Sequence, residues 1–252
     1  MSEKKKIVIV GATSAIAEHC ARHWLKNEPV DLVLLGRDKD RIHRVAQDLK
    51  VRNPSSEIRI VETNFLESAT IQITVDDVMK SDKIDIVLIA HGSLPDQSSC
   101  QSDLHLCRET LEINGVSPVL FAEAFAQHME KTNHGTLVMI GSVAGDRGRQ
   151  SNYVYGAAKG LVARYAQGLQ HRFAGTPVKI VLIKPGPTDT PMTNQFKAKG
   201  VKMASVENVA KTIVDGVERG QSVIYAPSQW RLIMWIIKHL PSFVFNKMLR
   251  NI

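Results

Sequence analysis

The stretch Ile7-Val-Ile-Val-Gly11-Ala-Thr-Ser-Ala-Ile-Ala17 decides the fold. Its first four residues are apolar and β-branched, as expected of a short strand buried on both faces in a parallel sheet. Gly11 then permits a tight turn. The helical pattern that follows, to about Lys26, aims its free N–H groups and positive dipole end back at that turn. Strand, glycine turn and helix give the context that a dinucleotide fingerprint requires, with Gly11, Thr13, Ser14, Ala15 and Ile16 as its candidate contacts. The alternative is an ordinary βα turn.

Working outward, Asp31–Leu35 reads as a second strand and ends in Gly36-Arg37-Asp38. A carboxylate at such a strand end would accept hydrogen bonds from a ribose 2′-hydroxyl, whereas an arginine suits a 2′-phosphate. Gly36 removes the acid and Arg37 follows, so NADP(H) is expected over NAD(H). Asp38 precedes the helical run K-D-R-I-H-R-V-A-Q-D-L and reads as its N-cap. Glu57–Glu62 is a third strand leading to Thr63-Asn64-Phe65. Ile84–Ile89 is a fourth, leading to Ala90-His91-Gly92. His91 reads as a structural histidine at a strand end, with a catalytic or substrate-facing role as the alternative. Ser93–Ser102 is polar and turn-rich and reads as a loop.

A fifth strand, Thr136–Ile140, delivers Gly141-Ser142, and from Ser142 to Lys159 the chain reads S-V-A-G-D-R-G-R-Q-S-N-Y-V-Y-G-A-A-K. Tyr155 and Lys159, four apart, share one face of a helix, while Tyr153 has only Ala157 at that spacing. A phenol with a pKa near 10 is a poor acid or base at neutral pH. An adjacent ammonium favours the phenolate and is expected to bring that pKa towards the working range. Two further motifs accompany this pair. Asn114 sits in Leu-Glu-Ile-Asn-Gly-Val, inside a long helical pattern from about Asp103 to Lys131 where Asn and Gly are poor formers. The alternative is a polar residue facing solvent. The sixth strand, Val178–Ile183, runs into Lys184-Pro185-Gly186-Pro-Thr188-Asp-Thr190-Pro.

In this order the motifs resemble those of the short-chain dehydrogenase/reductase family, over about residues 5 to 225. The resemblance implies an α/β fold: a Rossmann-type doubly wound parallel sheet of about seven strands with helices on both faces. The NAD(P)-binding catalytic domain would span 1–228. It implies that Ser142 hydrogen-bonds a substrate carbonyl, that Tyr155 donates the proton, and that Lys159 lowers the phenol pKa and holds the nicotinamide ribose. Asn114 would complete a proton relay through a water. Cofactor contacts are implied for Asn64, Phe65, Ala90, Gly92, Pro185, Gly186, Thr188 and Thr190. Homodimers or homotetramers are implied as well.

The chain departs from the family pattern in several places. Val10 replaces Thr, Ala15 and Ala17 replace two glycines of the turn, and His91 replaces the Asn of N-A-G. The added methyls are expected to displace a pyrophosphate somewhat. The segments G-A-T-S-A-I-A at 11–17, H-G-S-L-P-D-Q at 91–97 and G-D-R-G-R-Q-S-N-Y-V-Y-G at 145–156 are similar to one branch, the decaprenylphosphoryl-2-keto-ribose reductases. That similarity implies NADPH-dependent reduction of a keto-sugar linked to a polyprenyl phosphate. Asp96-Gln97 and the Arg147/Arg149 pair would meet the sugar and its phosphate, with solvated loop arginines as the alternative. Reduction of another small or lipid ketone is a second reading, and a non-catalytic NADP-binding interaction protein a third.

Composition sets outer limits. At 252 residues, 44% hydrophobic and 23% charged, the chain fits one globular α/β domain. A net charge of +7 suggests an anionic partner. No basic run interleaved with aromatics occurs, which argues against nucleic acid. Three cysteines without C-x-x-C spacing suggest free thiols in a reducing compartment. The Cys100/His105/Cys107 group and the His19/His23 pair match no zinc pattern, so no metal is expected. The N-terminal apolar run is too short for a signal-peptide core, and a cytoplasmic protein is expected. Residues 229–252 form a basic, aromatic, amphipathic tail, with Arg231, Lys238, Lys247 and Arg250 among Trp, Ile and Phe. Such a tail suits peripheral contact with the inner face of a membrane, or packing on the sheet or on another subunit.

Overall fold

The computed structural model describes residues 4–80, 83–194 and 201–248; Arg250 of the tail lies outside them. Seven strands, β1 (Lys6–Val10), β2 (Asp31–Gly36), β3 (Ile58–Glu62), β4 (Ile86–Ile89), β5 (Thr136–Ile140), β6 (Lys179–Pro185) and β7 (Val223–Ala226), form one sheet. Their order is β3-β2-β1-β4-β5-β6-β7 and every pairing is parallel. The order reverses between β1 and β4, so a crevice opens beyond their carboxyl ends. Successive β1 side chains alternate between faces. Ile7 and Ile9 join the apolar cluster that includes Trp24 and Ile213, whereas Val8 and Val10 join the one that includes Phe121 and Phe125. Period-two alternation thus puts both faces of an all-apolar strand out of water.

Helices α1 (Ala15–Asn27), α2 (Lys39–Arg52), α3 (Ser68–Met79), α4 (Gln97–Ser102), α5 (Leu104–Leu111), α6 (Ser117–Thr132), α7 (Tyr153–Arg172) and α8 (Val206–Glu218) cover the sheet. Asp38 caps α2 as expected, its carboxylate accepting from the Arg41 amide at 3.0 Å. One expectation needs correction. The polar stretch 93–102 is not all loop. Asp96 accepts from the Ser98 amide at 3.0 Å and starts α4, a local cap that outweighs poor helix formers. The helical pattern over 103–131 is interrupted where its poor formers stand. A π-helical turn over Glu112–Val116 separates α5 from α6 and contains Asn114 and Gly115.

The tail forms α9 (Trp230–His239) and α10 (Ser242–Met248). Both are held by the loop between β5 and α7. Arg147 donates to the carbonyls of Ile237 at 2.5 Å and Leu240 at 2.7 Å, and its guanidinium lies 3.8 Å over the Phe245 ring. A cation at the carboxyl end of a helix satisfies carbonyls that have no helical partner. No helix among the described residues is long and apolar enough to cross a membrane.

Candidate active site

A cavity of about 600 Å³ lies beyond the carboxyl ends of the strands. Asn114 from the π-helical turn, Ser142 from the end of β5, and Tyr155 and Lys159 from α7 all face it. Asn114 is fully buried rather than solvent-facing. Its Oδ1 accepts from the Ser93 amide at 2.9 Å, and its Nδ2 donates to the Thr110 carbonyl at 2.9 Å. A Cβ on Gly92 would come within 2.7 Å of that Oδ1, so a glycine is needed where Asn114 and Lys159 converge.

Ser142 ends the sheet at β5, and its Oγ accepts from the Ala144 amide at 3.1 Å. Lys159 is buried, and its Nζ donates to the Ile140 carbonyl at 3.0 Å while lying 5.8 Å from the centroid of the Tyr155 ring. Burial pushes the Lys159 ammonium down to about 8. Burial also pushes the Tyr155 phenol up to about 12, opposed by a hydrogen bond with Ser142. The expectation that Lys159 lowers this phenol is therefore corrected for the protein by itself. The ammonium is itself desolvated and engaged by Ile140, and burial of the phenol dominates. At neutral pH Tyr155 holds its proton.

The glycine turn has the shape its sequence requires. Gly11 has φ +83°, and a Cβ there would lie 2.6 Å from the His91 amide nitrogen. The Gly11 and Ala12 amides donate to Leu35 O at 2.9 and 3.0 Å. Ser14 starts α1 with its hydroxyl making no cap bond, and it faces the cavity with Ile16. Ala17 is fully buried among Ile9, Cys20 and Trp24, so its methyl fills core. Thr13 and Ala15 are half-buried and lie off the cavity wall.

At the adenine end the picture is mixed. Arg37 is exposed beyond β2. The Asn64 Oδ1 is used locally, accepting from the Leu66 amide at 2.9 Å. Phe65 is core, with its ring 4.6 Å from His91 and 5.2 Å from Phe121. His91 lines the cavity as well, and its Nδ1 is buried without a hydrogen-bond partner among the described residues. Its Nε2 pairs with the Ser117 hydroxyl at 2.8 Å, and burial pushes its pKa down to about 3, so it is neutral.

Ala90, Pro185, Gly186, Thr188 and Thr190 line the cavity. Thr188 donates to the Gly186 carbonyl at 2.9 Å, and Thr190 is tied to Thr193 in a reciprocal cap. Trp230 of α9 roofs Gly186 so closely that a Cβ there would fall 2.0 Å from the indole Nε1. The sequence offers no local signal for that contact, because the two residues are 44 positions apart. It also hides a buried network behind the site. Lys184 pairs with the Asp146 carboxylate, which accepts from the Tyr225 hydroxyl at 2.8 Å. Of the two arginines expected at the substrate, Arg147 is taken by the tail and only Arg149 faces the cavity. No group of three or more His, Cys, Asp or Glu among the described residues is gathered to hold a metal.

Comparison with known proteins bears on the family and the fold. An "uncharacterized oxidoreductase in mprA 5'region" from Streptomyces coelicolor is 26% identical over 244 residues, covering 97% of this chain and 96% of that one. A short-chain dehydrogenase from Sphingobium yanoikuyae in complex with NADPH superposes with a TM-score of 0.80 at 20% identity, covering 94% of this chain and 97% of that one. A 3-oxoacyl-[acyl-carrier protein] reductase from Brucella melitensis in complex with NAD also gives 0.80, at 17% identity, covering 92% and 99%. Residues 5–200 match the family described as short chain dehydrogenase, and this chain belongs to that family of oxidoreductases.

Proposed function

We propose that this protein reduces a ketone to a secondary alcohol with NADPH, the proton coming from Tyr155. One observation carries the reading: a protonated, buried phenol shares a cavity with Ser142, Lys159 and Asn114. The residues fit a dinucleotide. Gly11 gives the turn its close approach to the fourth strand, the uncapped start of α1 leaves amides for a phosphate, and Ala17 stays in the core.

NADPH over NADH is supported at the end of β2. A Cβ on Gly36 would meet the Ile42 side chain at 2.7 Å, which disfavours an acid there. The Asp38 carboxylate caps α2, and Arg37 remains exposed for a 2′-phosphate. When bound, the nicotinamide supplies the hydride. Ser142 orients the substrate carbonyl. Tyr155 would give its proton to the carbonyl oxygen, its O–H bond breaking as the new O–H bond forms. Lys159 holds the resulting phenolate, and Asn114 fixes the backbone beside it.

The segments shared with the decaprenylphosphoryl-2-keto-ribose reductases favour a keto-sugar on a polyprenyl phosphate. The tail supports contact with a lipid surface. Leu232, Trp235, Ile236 and Phe243 are exposed there beside Arg231 and Lys238, with no acidic residue in α9 or α10. In the test, Tyr155→Phe lowers turnover by roughly 10²–10⁴-fold while NADPH affinity, read by fluorescence titration, stays within about twofold. Full activity in this variant, or tighter binding of NADH than of NADPH, overturns the corresponding half of the proposal.

A further inference from the structure

Ser142 leaves the sheet on a short segment that is fixed from two sides. Gly141 donates to the Ile183 carbonyl at 2.8 Å, and the chain then turns out of the ladder into a 3₁₀ turn over Val143–Gly145 that ends at Asp146. On one side this turn lies against α7. A Cβ on Gly145 would fall 2.6 Å from the Lys159 carbonyl carbon, so backbone meets backbone there. On the other side the Asp146 carboxylate reaches back to the sheet. Its Oδ1 takes the Lys184 ammonium, and its Oδ2 accepts from the Tyr225 hydroxyl at 2.8 Å. Lys184 and Tyr225 are register partners on β6 and β7, so their side chains emerge side by side on one face of the sheet.

A buried ion pair of this kind adds little stability over apolar groups of the same volume, because desolvation of both charges offsets their attraction. What it supplies is direction, since each charge-assisted bond is oriented and two separate strands hold the two oxygens. That direction is needed one turn away. The Ser142 Oγ accepts from the Ala144 amide at 3.1 Å, which leaves its single O–H to act as a donor away from the turn. A hydrogen bond joins this hydroxyl to the Tyr155 phenol in the cavity wall. The Ala144 amide belongs to the turn that Asp146 closes, the Asp146 amide donating to the Val143 carbonyl at 3.2 Å. A shift of Asp146 therefore turns Ala144, and with it the direction of the Ser142 hydroxyl.

We propose that Asp146, anchored by Lys184 and Tyr225, is a positioning residue for Ser142 and sets the hydroxyl that meets the Tyr155 phenol and the substrate carbonyl. All three network residues lie off the cavity wall and act through Ser142. The consequence for turnover rests on the ketone-reduction reading, whereas the consequence for Tyr155 rests on the Ser142 contact alone.

The test uses the full chain labelled with 3-fluorotyrosine and read by fluorine NMR, the Tyr155 signal being identified by its loss in Tyr155→Phe. The principal variant, Asp146→Leu/Lys184→Met/Tyr225→Phe, puts an apolar group in place of every polar group of the network and should melt close to wild type. Where it fails to fold, Tyr225→Phe alone, which keeps the ion pair, replaces it. Ser142→Ala should shift the Tyr155 signal, and the network variant should shift it in the same direction. Added to Ser142→Ala, the network variant should cause no further shift, whereas a merely loosened fold would shift the signal in both backgrounds. A Tyr155 signal unmoved by Ser142→Ala, unmoved by the network variant, or moved equally in both backgrounds overturns the positioning role. Turnover is followed as NADPH oxidation with phenanthrenequinone as the ketone probe. The network variant should lose roughly 10–100-fold in kcat, with NADPH affinity unchanged and no further loss on top of Ser142→Ala. Undiminished turnover in the network variant overturns the positioning and leaves ketone reduction standing. The expected shifts without turnover in wild type keep the positioning and count against ketone reduction.

Discussion

Replacing Asp146 with Asn removes the charge at the centre of the network behind the active site while leaving its shape intact. Asp146 and Lys184 have side chains only 3% and 7% exposed, and the same carboxylate accepts from Tyr225 at 2.8 Å. Its loss leaves an ammonium in a space from which water is excluded. Breaking a buried pair from one side costs about 3–5 kcal/mol. An independent bound agrees. A lysine can always shed its proton, at about 1.36 kcal/mol per pH unit below its ordinary pKa, which caps the penalty at pH 7 near 5 kcal/mol. For a domain of this size each kcal/mol corresponds to about 2–4 °C, so Asp146→Asn should melt roughly 10 °C lower. Urea unfolding of wild type, Asp146→Asn, Lys184→Met and the double variant measures the cost. The double variant, with both charges gone, should recover to within about 1–2 kcal/mol of wild type. A loss below about 1 kcal/mol in Asp146→Asn, or a double variant as unstable as the single one, refutes the reasoning.

Two other perturbations follow from the same structure. Folding holds the Lys159 pKa down at about 8, below its ordinary value of 10.5, so the folded state disfavours the charge by about 3 kcal/mol. That cost is fully present below pH 8 and disappears as pH rises through 8 to above 10.5. Allowing about 1 kcal/mol for the lost bond to Ile140, Lys159→Met should be more stable than wild type by about 2 kcal/mol at pH 7, and not at pH 11, while turnover collapses. Denaturant melts at the two pH values check this, and a destabilised variant at pH 7 would sink it. Arg147→Ala should loosen the tail by about 2 kcal/mol through loss of two carbonyl bonds and the stacked Phe245. Limited proteolysis should then cut first between 229 and 248, ahead of global unfolding; protection equal to wild type would contradict the assigned role.

What the sequence reveals depends on how local the cause is. β1 and β2 are readable because strand residues with both faces covered must be apolar, as Ile7–Val10 and Leu32–Leu35 are. Tyr155 and Lys159 are readable because helical geometry alone puts them together. Asp38 is readable as a cap for the same local reason. β7 escapes because its four residues carry no alternation to mark them. The direction of the Tyr155 pKa escapes because burial, which no spacing records, outweighs the neighbouring ammonium. Arg147 and Arg149 look equivalent in G-D-R-G-R, and only the packed tail separates them. Gln97 sits in a stretch that reads as loop, because its partner is the Val154 amide 57 residues away.

The tail is best understood through Gly186. In the sequence this glycine belongs to the turn after β6, and residues 229–252 look like an appendage. In the fold no side chain larger than hydrogen fits at 186 unless Trp230 moves, so the turn that lines the cavity and the first residue of α9 constrain one another. Met234, fully buried on the same helix, meets Arg149, and α9 ends on Arg147. Asp146, between those contacts and Ser142, is pinned to β6 and β7 by Lys184 and Tyr225. A force that moves α9 therefore bears both on the turn at Gly186 and on the loop between Ser142 and Arg149.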